Sequence, residues 1–421
     1  MKRVLFINLR SHKVERMEPL YAARNLNVKV TLLADKKPGV DEGFIDDYII
    51  TDTYDMKACL EIVKEYAAKT KIHGVVTWAD KDVELASLIG EALQLKTLSI
   101  AASTGARNKF EMRKKIESVF PELCPQFRQV RTWEDLMSAQ AEIGFPAIFK
   151  PVGASGSKSI FKVNAESDLP DIYRSMVETT RIEKDKVYSY YPSEYIYEEF
   201  LEGDEISIEG LIDQGQIIIA GIIDKYVTED YSLEYKEIFP SQKNSEDLKQ
   251  YQIQIKQALT ALQFDNCAFH AECKVKGSKL KVIEIAARPA GGFITSHLIP
   301  IVTGISFHEE VINNAVGEAV NQDMDMVVWQ NNVPSNVVLG HLDLLSQQAG
   351  VVTQIAGIED VFEDKNILYF LPTASVNQQV SLPPDSFGSL YLATCIAKGT
   401  SISEVEYSMA KAMQKYKVTI E

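Results

Sequence analysis

Short apolar runs alternate with longer amphipathic stretches over the first hundred residues. VLFIN (4–8), VKVTLLAD (28–35), DDYIIT (46–51), GVVTWAD (74–80) and KTLSI (96–100) read as near-continuously apolar strands. Helical stretches such as Met56–Thr70 and Lys81–Leu93 lie between several of them. Fully apolar strands separated by helices predict a parallel sheet covered on both faces, hence a doubly wound α/β lobe with ligands at the carboxyl ends of its strands. Residues 101–120 are polar and helix-prone. The strand FPAIFKPV (145–152), the Gly/Ser turn GASGSKS (153–159), a second strand SIFKV (159–163) and a helix over Asp168–Thr180 follow. Two hairpin-like pairs come next, at 206–224 and 267–288, separated by a helical stretch, Asp247–Leu262. The last ninety or so residues are mixed, with Pro-bearing loops, and no repeat is evident. The divisions expected are 1–115, 116–197, 198–330 and 331–421.

Bulk properties narrow the function. The 421 residues carry a net charge of −15 with no basic stripe, which argues against nucleic acid or an anionic membrane as partner. A few local lysines and backbone N–H groups suffice to hold one phosphate chain. No window approaches the ~20 apolar residues of a membrane span. The opening MKRVLFIN reads as a buried strand rather than a secretion signal. Five scattered cysteines without a CxxC pair fit a reducing cytoplasm.

Two segments suit phosphate and nucleotide. Lys150 closes an apolar strand ahead of the Gly/Ser turn, whose glycines and serines (Ser155, Gly156 and Ser157 among them) supply flexible N–H groups and hydroxyls. This is neither a Walker A loop nor GxGxxG, and an ordinary surface hairpin is the competing reading. In YIYEEFLEGDE (195–205), Glu198 can accept from an adenine amino group, the backbone around Glu199, Phe200 and Leu201 can pair with the purine edge, and Glu205 can accept from ribose hydroxyls. Taken alone, the segment reads more simply as a strand with a solvated acidic edge.

The strongest constellation is AFHAECKV…KLKVIEIAARPAGG. Glu272 and Glu284 both sit mid-strand between apolar neighbours. Buried together they would repel unless a cation lay between them, and a divalent metal with oxygen ligands is the natural remedy. Register decides this. A two-residue turn at Gly277–Ser278 would oppose Glu272 to Ile283, whereas a three-residue Gly-Ser-Lys loop opposes it to Glu284, so the metal reading predicts the longer loop. Arg288 then suits a carboxylate, a phosphoryl group or an oxyanion. Gly291 and Gly292 permit close backbone approach.

In this order the pieces resemble the ATP-grasp superfamily, over about residues 100–300. The resemblance implies that Lys109 and Lys150 contact ATP phosphates, that Ser155, Gly156 and Ser157 form a mobile phosphate loop, that Glu198, Glu199 and Leu201 hold adenine and Glu205 the ribose, and that Glu272 and Glu284 bind one or two Mg²⁺ ions (or Mn²⁺), with Arg288 as clamp. It implies an ATP-grasp fold: the N-terminal lobe, a small mobile α+β lobe, and a larger α+β lobe with a C-terminal extension. Within the superfamily the chain is most similar to bacterial L-amino-acid ligases, implying a dipeptide-forming reaction on amino acids, with Glu84 and Glu234 or Glu237 as substrate acids. Glu237 reads more simply as a solvated surface acid. A homodimer is one option for the assembly. Many relatives read EIN where this chain reads EIA, so Ala286 cannot ligate a second ion, and Ser159 stands where a glycine is frequent. The alternatives are a carboxylase or formyl-transferring enzyme of purine synthesis, for which Arg10 and Lys13 would have to hold a ribose phosphate, and a non-catalytic nucleotide-binding module. A biotin-dependent carboxylase fits less well, since MAKAM (409–413) reads as a helix.

Overall fold

The computed structural model describes all residues of the chain except Asp41, Ser157, Asp230, 332–336 and Pro384, and the side chain of Glu42. The chain opens with β1 (Arg3–Ile7), α1 (Lys13–Asn25), β2 (Lys29–Ala34), β3 (Asp47–Ile50), α2 (Met56–Ala67), β4 (Gly74–Thr77), α3 (Val83–Ala92), α4 (Ile100–Arg107) and α5 (Lys109–Glu117). It continues through β5 (Phe127–Val130), α6 (Trp133–Ile143), β6 (Ala147–Pro151), β7 (Phe161–Val163), α7 (Leu169–Thr179) and β8 (Tyr195–Glu199). Then come β9 (Asp204–Asp213), β10 (Gln216–Val227), β11 (Glu234–Phe239), α8 (Ser245–Leu262), β12 (Cys267–Lys276), β13 (Lys279–Ala286) and α9 (Phe307–Ala315). The C-terminal part holds β14 (Val338–Leu345), β15 (Gly350–Ala356), β16 (Ile367–Pro372), β17 (Gln379–Val380), β18 (Tyr391–Gly399), α10 (Ile402–Lys415) and β19 (Lys417–Ile420). No described helix is long and apolar enough to cross a membrane.

The chain divides into two compact units. The first comprises Met1–Gly203, Ile208–Ala220 and Ser245–Trp329, the second Asp204–Ser207, Gly221–Asn244 and Gln330–Glu421. In the first unit, β1–β4 form a parallel sheet of order β3-β2-β1-β4. Val4–Ile7 are wholly buried, as a central strand covered on both faces must be. One face packs Leu5, Ile7, Leu33 and Val75 against Cys59 and Val63 of α2 and Leu85 and Ile89 of α3. α9 packs against α1 and against β4, where Gly74 is obligatory because a Cβ would lie 2.5 Å from the Ala315 carbonyl oxygen. The segment 96–100, expected as a fifth strand, is instead a loop through Ser99 that enters α4 at Ile100. Ser99 there caps α4 by accepting from the Ala102 N–H, so the capping hydroxyl outweighs the β-prone composition.

A four-stranded antiparallel sheet of order β5-β8-β6-β7 follows, with α6 and α7 supplying Leu136, Leu169 and Met176 to a core around Phe149 and Tyr197. The β6–β7 pairing, Ala147 to Val163 through Phe149 to Phe161, is the expected hairpin around the Gly/Ser turn. The third sheet region of this unit contains the β12–β13 hairpin. α8 buttresses its turn: Tyr251 Oη donates to the Gly277 carbonyl at 2.6 Å and Gln254 Nε2 to that of Ser278 at 2.8 Å.

In the second unit, β11, β14, β18 and β16 are successive antiparallel neighbours. α10 covers one face with Val405, Met409 and Ala412, against Cys395, Ala397 and Phe370. The MAKAM segment lies within this helix. All five cysteines are free thiols.

Candidate active site

Asn108 breaks one helix and starts the next. It ends α4 in an extended conformation, and its side chain accepts from the N–H groups of Phe110 and Glu111, capping α5. Arg107 and Lys109 are thereby placed on either side of a sharp bend. The Lys109 N–H donates to the Val152 carbonyl at 2.9 Å, tying the bend to the end of β6. Arg107 Nη2 then donates to Gly153 O at 3.0 Å, and Lys109 Nζ to Ala154 O at 2.6 Å. The Gly/Ser turn thus starts from a cationic anchor. Gly153 lies under the Tyr191 ring, where a Cβ would sit 2.4 Å from a ring carbon, and Gly156 has a φ of +71°. The turn's other end is pinned by Ser159, whose Oγ donates to Thr179 Oγ1 at 3.0 Å and lies 3.1 Å from Tyr188 Oη. Those bonds hold Ser159 at a φ of 55°, which a glycine would adopt freely. Ser155 lies between these anchors, and Ser157 falls outside the described residues.

Below the turn is a buried charge triad. Lys150 Nζ forms an ion pair with Glu198 Oε1. Arg113 donates to Glu198 Oε2 from Nε at 3.3 Å and from Nη2 at 3.2 Å. Lys150, Glu198 and Arg113 are 3%, 5% and 0% exposed, so all three charges are desolvated and only mutual pairing makes them tolerable. Burial pulls the Lys150 ammonium below its usual pKa. For Glu198, burial pushes the other way, but the two cations outweigh it and its pKa falls. The adenine hydrogen bond expected of the Glu198 carboxylate is therefore not what this carboxylate makes here. Nearby backbone donors are also committed: the Glu199 N–H donates to Gln126 O at 2.9 Å and that of Phe200 to Pro146 O at 3.3 Å. Glu199 Oε2 accepts from Lys281 Nζ at 3.0 Å, and Leu201 is half-buried.

The two glutamates do face each other, by a route the register argument excluded. The turn is the two-residue Gly277–Ser278, with Lys276 opposite Lys279 and Cys273 opposite Val282. A β-bulge then skips Ile283, so that Glu272 pairs with Glu284 and His270 with Ala286. The three-residue loop is thus corrected, while the pairing it was invoked to produce is present. Arg113 Nη2 donates to the carbonyl of the bulged Ile283 at 2.6 Å, giving the group at the bulge a partner. Lys109 Nζ, already on the turn carbonyl, also lies 3.0 Å from Glu284 Oε2. His270 Nε2 lies 3.3 Å from Glu272 Oε1, and its Nδ1 lies 2.7 Å from Oε1 of the fully buried Glu209. Burial opposes a charged ring, but Glu209 and Glu272 outweigh it and push His270 up to about 9. Paired carboxylates with only oxygen donors fit a hard divalent cation.

Arg288 forms a two-pronged bond to a single oxygen, Nε at 3.0 Å and Nη2 at 2.8 Å from Asp80 Oδ2. Burial disfavours both charges, yet each raises or lowers the other: Arg288 is held above its ordinary pKa and Asp80 down at about 2. Gly291 serves a neighbour: its missing Cβ would lie 2.9 Å from Arg10 Nη1, and Arg10 Nη2 donates to Pro289 O and Ala290 O at 2.7 and 2.6 Å. Gly292 has a φ of +61°, where a side chain is strained.

The ATP-grasp domain profile matches residues 143–297, and the ATP-grasp N-terminal domain profile residues 17–97. It is an ATP-grasp protein.

Among curated relatives of this ATP-grasp chain is alanine–anticapsin ligase of Bacillus subtilis, 30% identical over 48% of this chain and 45% of that one. The matched segments span about half the length of the curated relatives. Among solved structures, an L-amino acid ligase from Bacillus licheniformis superposes with a TM-score of 0.83 at 20% identity, covering 100% of this chain and 99% of that one. N5-carboxyaminoimidazole ribonucleotide synthetase from Thermotoga maritima gives a TM-score of 0.71 at 15% identity, with 100% of both chains covered. These likenesses carry the ATP-grasp fold.

The remaining acids of the ATP-grasp chain separate. Glu84 is in the first unit, at the start of α3, and its Oε1 accepts from Tyr191 Oη at 2.8 Å. Glu205, Glu234 and Glu237 belong to the second unit. Glu234 pairs there with Lys225. Glu237 is 2% exposed, its carboxylate 3.1 Å from His341 Nδ1, which corrects its reading as a solvated surface acid. Sequence reasoning missed Arg113, Asp80, Glu209 and the contacts of His270. Only Asp80 carried a signal, as the acid ending the TWAD strand.

Proposed function

We propose that the protein is an ATP-dependent carboxylate–amine ligase of the ADP-forming type, acting on the carboxylate of an amino acid, with a second amino acid supplying the amine. One observation carries the reading: a single ammonium, Lys109 Nζ, joins the Gly/Ser turn at Ala154 O to the carboxylate pair at Glu284. Phosphate loop, cation and carboxylates thus converge on one atom. Lys109 and Lys150 would trade their present partners for phosphate oxygens. Glu272 and Glu284 would hold Mg²⁺, which when bound neutralises charge on the β- and γ-oxygens. The γ-phosphoryl group passes to the substrate carboxylate, the amine attacks the resulting acyl phosphate, and ADP and phosphate leave. Arg288, oriented by Asp80, steadies the tetrahedral oxyanion, a contribution of the order of 3–4 kcal/mol. A closed turn excludes the water that would hydrolyse the intermediate. The amino-acid preference is supported by the acid-rich C-terminal edge of the N-terminal sheet. A ribose phosphate would instead need Arg10 and Lys13, and the Nη2 of Arg10 is committed to Pro289 O and Ala290 O. ADP release measured over twenty amino acids, singly and in pairs, tests the proposal; release that depends on a purine precursor instead would overturn it.

Saturating ATP–Mg²⁺ should slow proteolytic cleavage within 150–160. The turn is anchored at Gly153, Ala154 and Ser159, and phosphates would order what lies between. Unchanged cleavage would count against this segment as the lid.

Replacing Glu84 by Ala should raise KM for the amino acid roughly 10- to 150-fold, the loss of a charge-assisted hydrogen bond, while KM for ATP moves far less. Normal amino-acid binding by this variant, or a preference for a substrate without an amino group, would remove the amino acid from the proposal.

A further inference from the structure

We propose that His270 is a positioning residue for Glu272, and that Glu209 exists to hold His270 in that role; this rests on the reading of Glu272 and Glu284 as metal ligands. Residues two apart on a strand share a face, so His270 and Glu272 stand side by side on β12. The bulge puts Glu284 and Ala286 directly opposite them. Position 286 offers only a methyl group, so on that rung the imidazole is the polar side chain. Its orientation is fixed from behind. Glu209 is 0% exposed and flanked by Ile208, also 0% exposed, in a setting where packing alone calls for an apolar side chain. Glu209 Oε1 contacts His270 Nδ1 at 2.7 Å, and Oε2 has no hydrogen-bond partner among the described residues. Its one printed contact at hydrogen-bond distance is to His270, so the buried carboxylate is aimed at that ring, with Arg10 the other charge acting on it.

With Nδ1–H donated to Glu209, the ring cannot turn, and Nε2 is held 3.3 Å from Glu272 Oε1. A glutamate has three side-chain torsions. Fixing one of its oxygens sets where the other lies, and so presents it to a cation shared with Glu284. Partners of metal-binding side chains commonly change metal affinity 10- to 100-fold when removed. The chain from Glu209 through His270 to Glu272 is such a support, built into two neighbouring strands.

The test is Mn²⁺ titration of the full-length protein with ADP present, followed by electron paramagnetic resonance. His270→Ala should weaken Mn²⁺ binding 10- to 100-fold. The Mg²⁺ concentration for half-maximal ADP release should rise in parallel, with kcat largely recovered at high Mg²⁺. The nearly isosteric Glu209→Gln should shift both in the same direction, and His270→Gln, which keeps an N–H near Glu272, should recover part of the affinity. A purely structural histidine would lower the melting temperature and kcat without a Mg²⁺-dependent recovery. Mn²⁺ affinity within twofold of wild type in Glu209→Gln and His270→Gln, with Glu272→Gln losing the ion, overturns the inference alone. Wild-type Mn²⁺ binding by Glu272→Gln overturns the metal reading and this inference with it.

Discussion

Glu272→Gln and Glu284→Gln should each abolish ADP formation while the protein stays folded. The amide is almost the same size as the carboxylate, and both side chains are only partly buried, at 21% and 18% exposure, so packing is spared. What is lost is one negative oxygen donor from a pair held opposite each other by the β12–β13 register. A divalent cation supplies several kcal/mol of charge stabilisation in such a site, so a fall of at least about a thousandfold is expected. Circular dichroism and a thermal melt establish the fold, and ADP release reads the activity. Glu284→Gln also releases Lys109 from its ion pair, so this variant should keep more ATP affinity than Glu272→Gln relative to its activity. Near-normal turnover by either variant would end the metal assignment.

Glu198→Gln should be the most destabilising conservative substitution in the small antiparallel sheet. It leaves Lys150 and Arg113, buried at 3% and 0% exposure, with no anion between them. Breaking a buried pair by removing one partner costs about 3–5 kcal/mol, which urea unfolding would read as a lower midpoint. The pH dependence follows from the sign. Folding lowers the Glu198 pKa, because Lys150 and Arg113 outweigh the opposing effect of burial. The stabilisation is therefore fully present above its ordinary value of 4.5 and is lost as pH falls through the folded value, below 4.5. Wild-type stability should fall in that acid window, and Glu198→Gln should be flatter there. Equal acid sensitivity of the two proteins would show that Glu198 is not the group concerned.

Periodicity made the architecture legible: four of five expected N-terminal strands, the hairpin around the Gly/Ser turn and the helix before β12 all lie where apolar spacing put them. The exception, 96–100, has the composition of a strand, but Ser99 spends it on capping a helix. Order of motifs made the family legible. The site was legible as types of residue and not as pairings. Arg113 sits in KFEMRKKIE, indistinguishable locally from a surface base, because its partners Glu198 and Ile283 are 85 and 170 residues away. Glu237 looked solvated for the same reason, since His341 comes from another strand. Alternation assumes an unbroken ladder, and a bulge is set by tertiary demand, here an arginine that takes a carbonyl.

That bulge separates the facing of the two glutamates from the anchoring of Arg113. Burial along β13 falls on the even Leu280 and Val282 and, after the bulge, on the odd Ile285 with the small Ala286 beside it. The switch comes from the presence of residue 283, not from its isoleucine side chain. Substitutions there act locally. Deleting it would keep the turn and every cross-strand pair, because Glu284 would then follow Val282 directly and still face Glu272; what would go is the carbonyl that Arg113 Nη2 holds. Transplanted into a scaffold without that arginine, the hairpin would keep its two glutamates face to face whether or not the extra residue came with it.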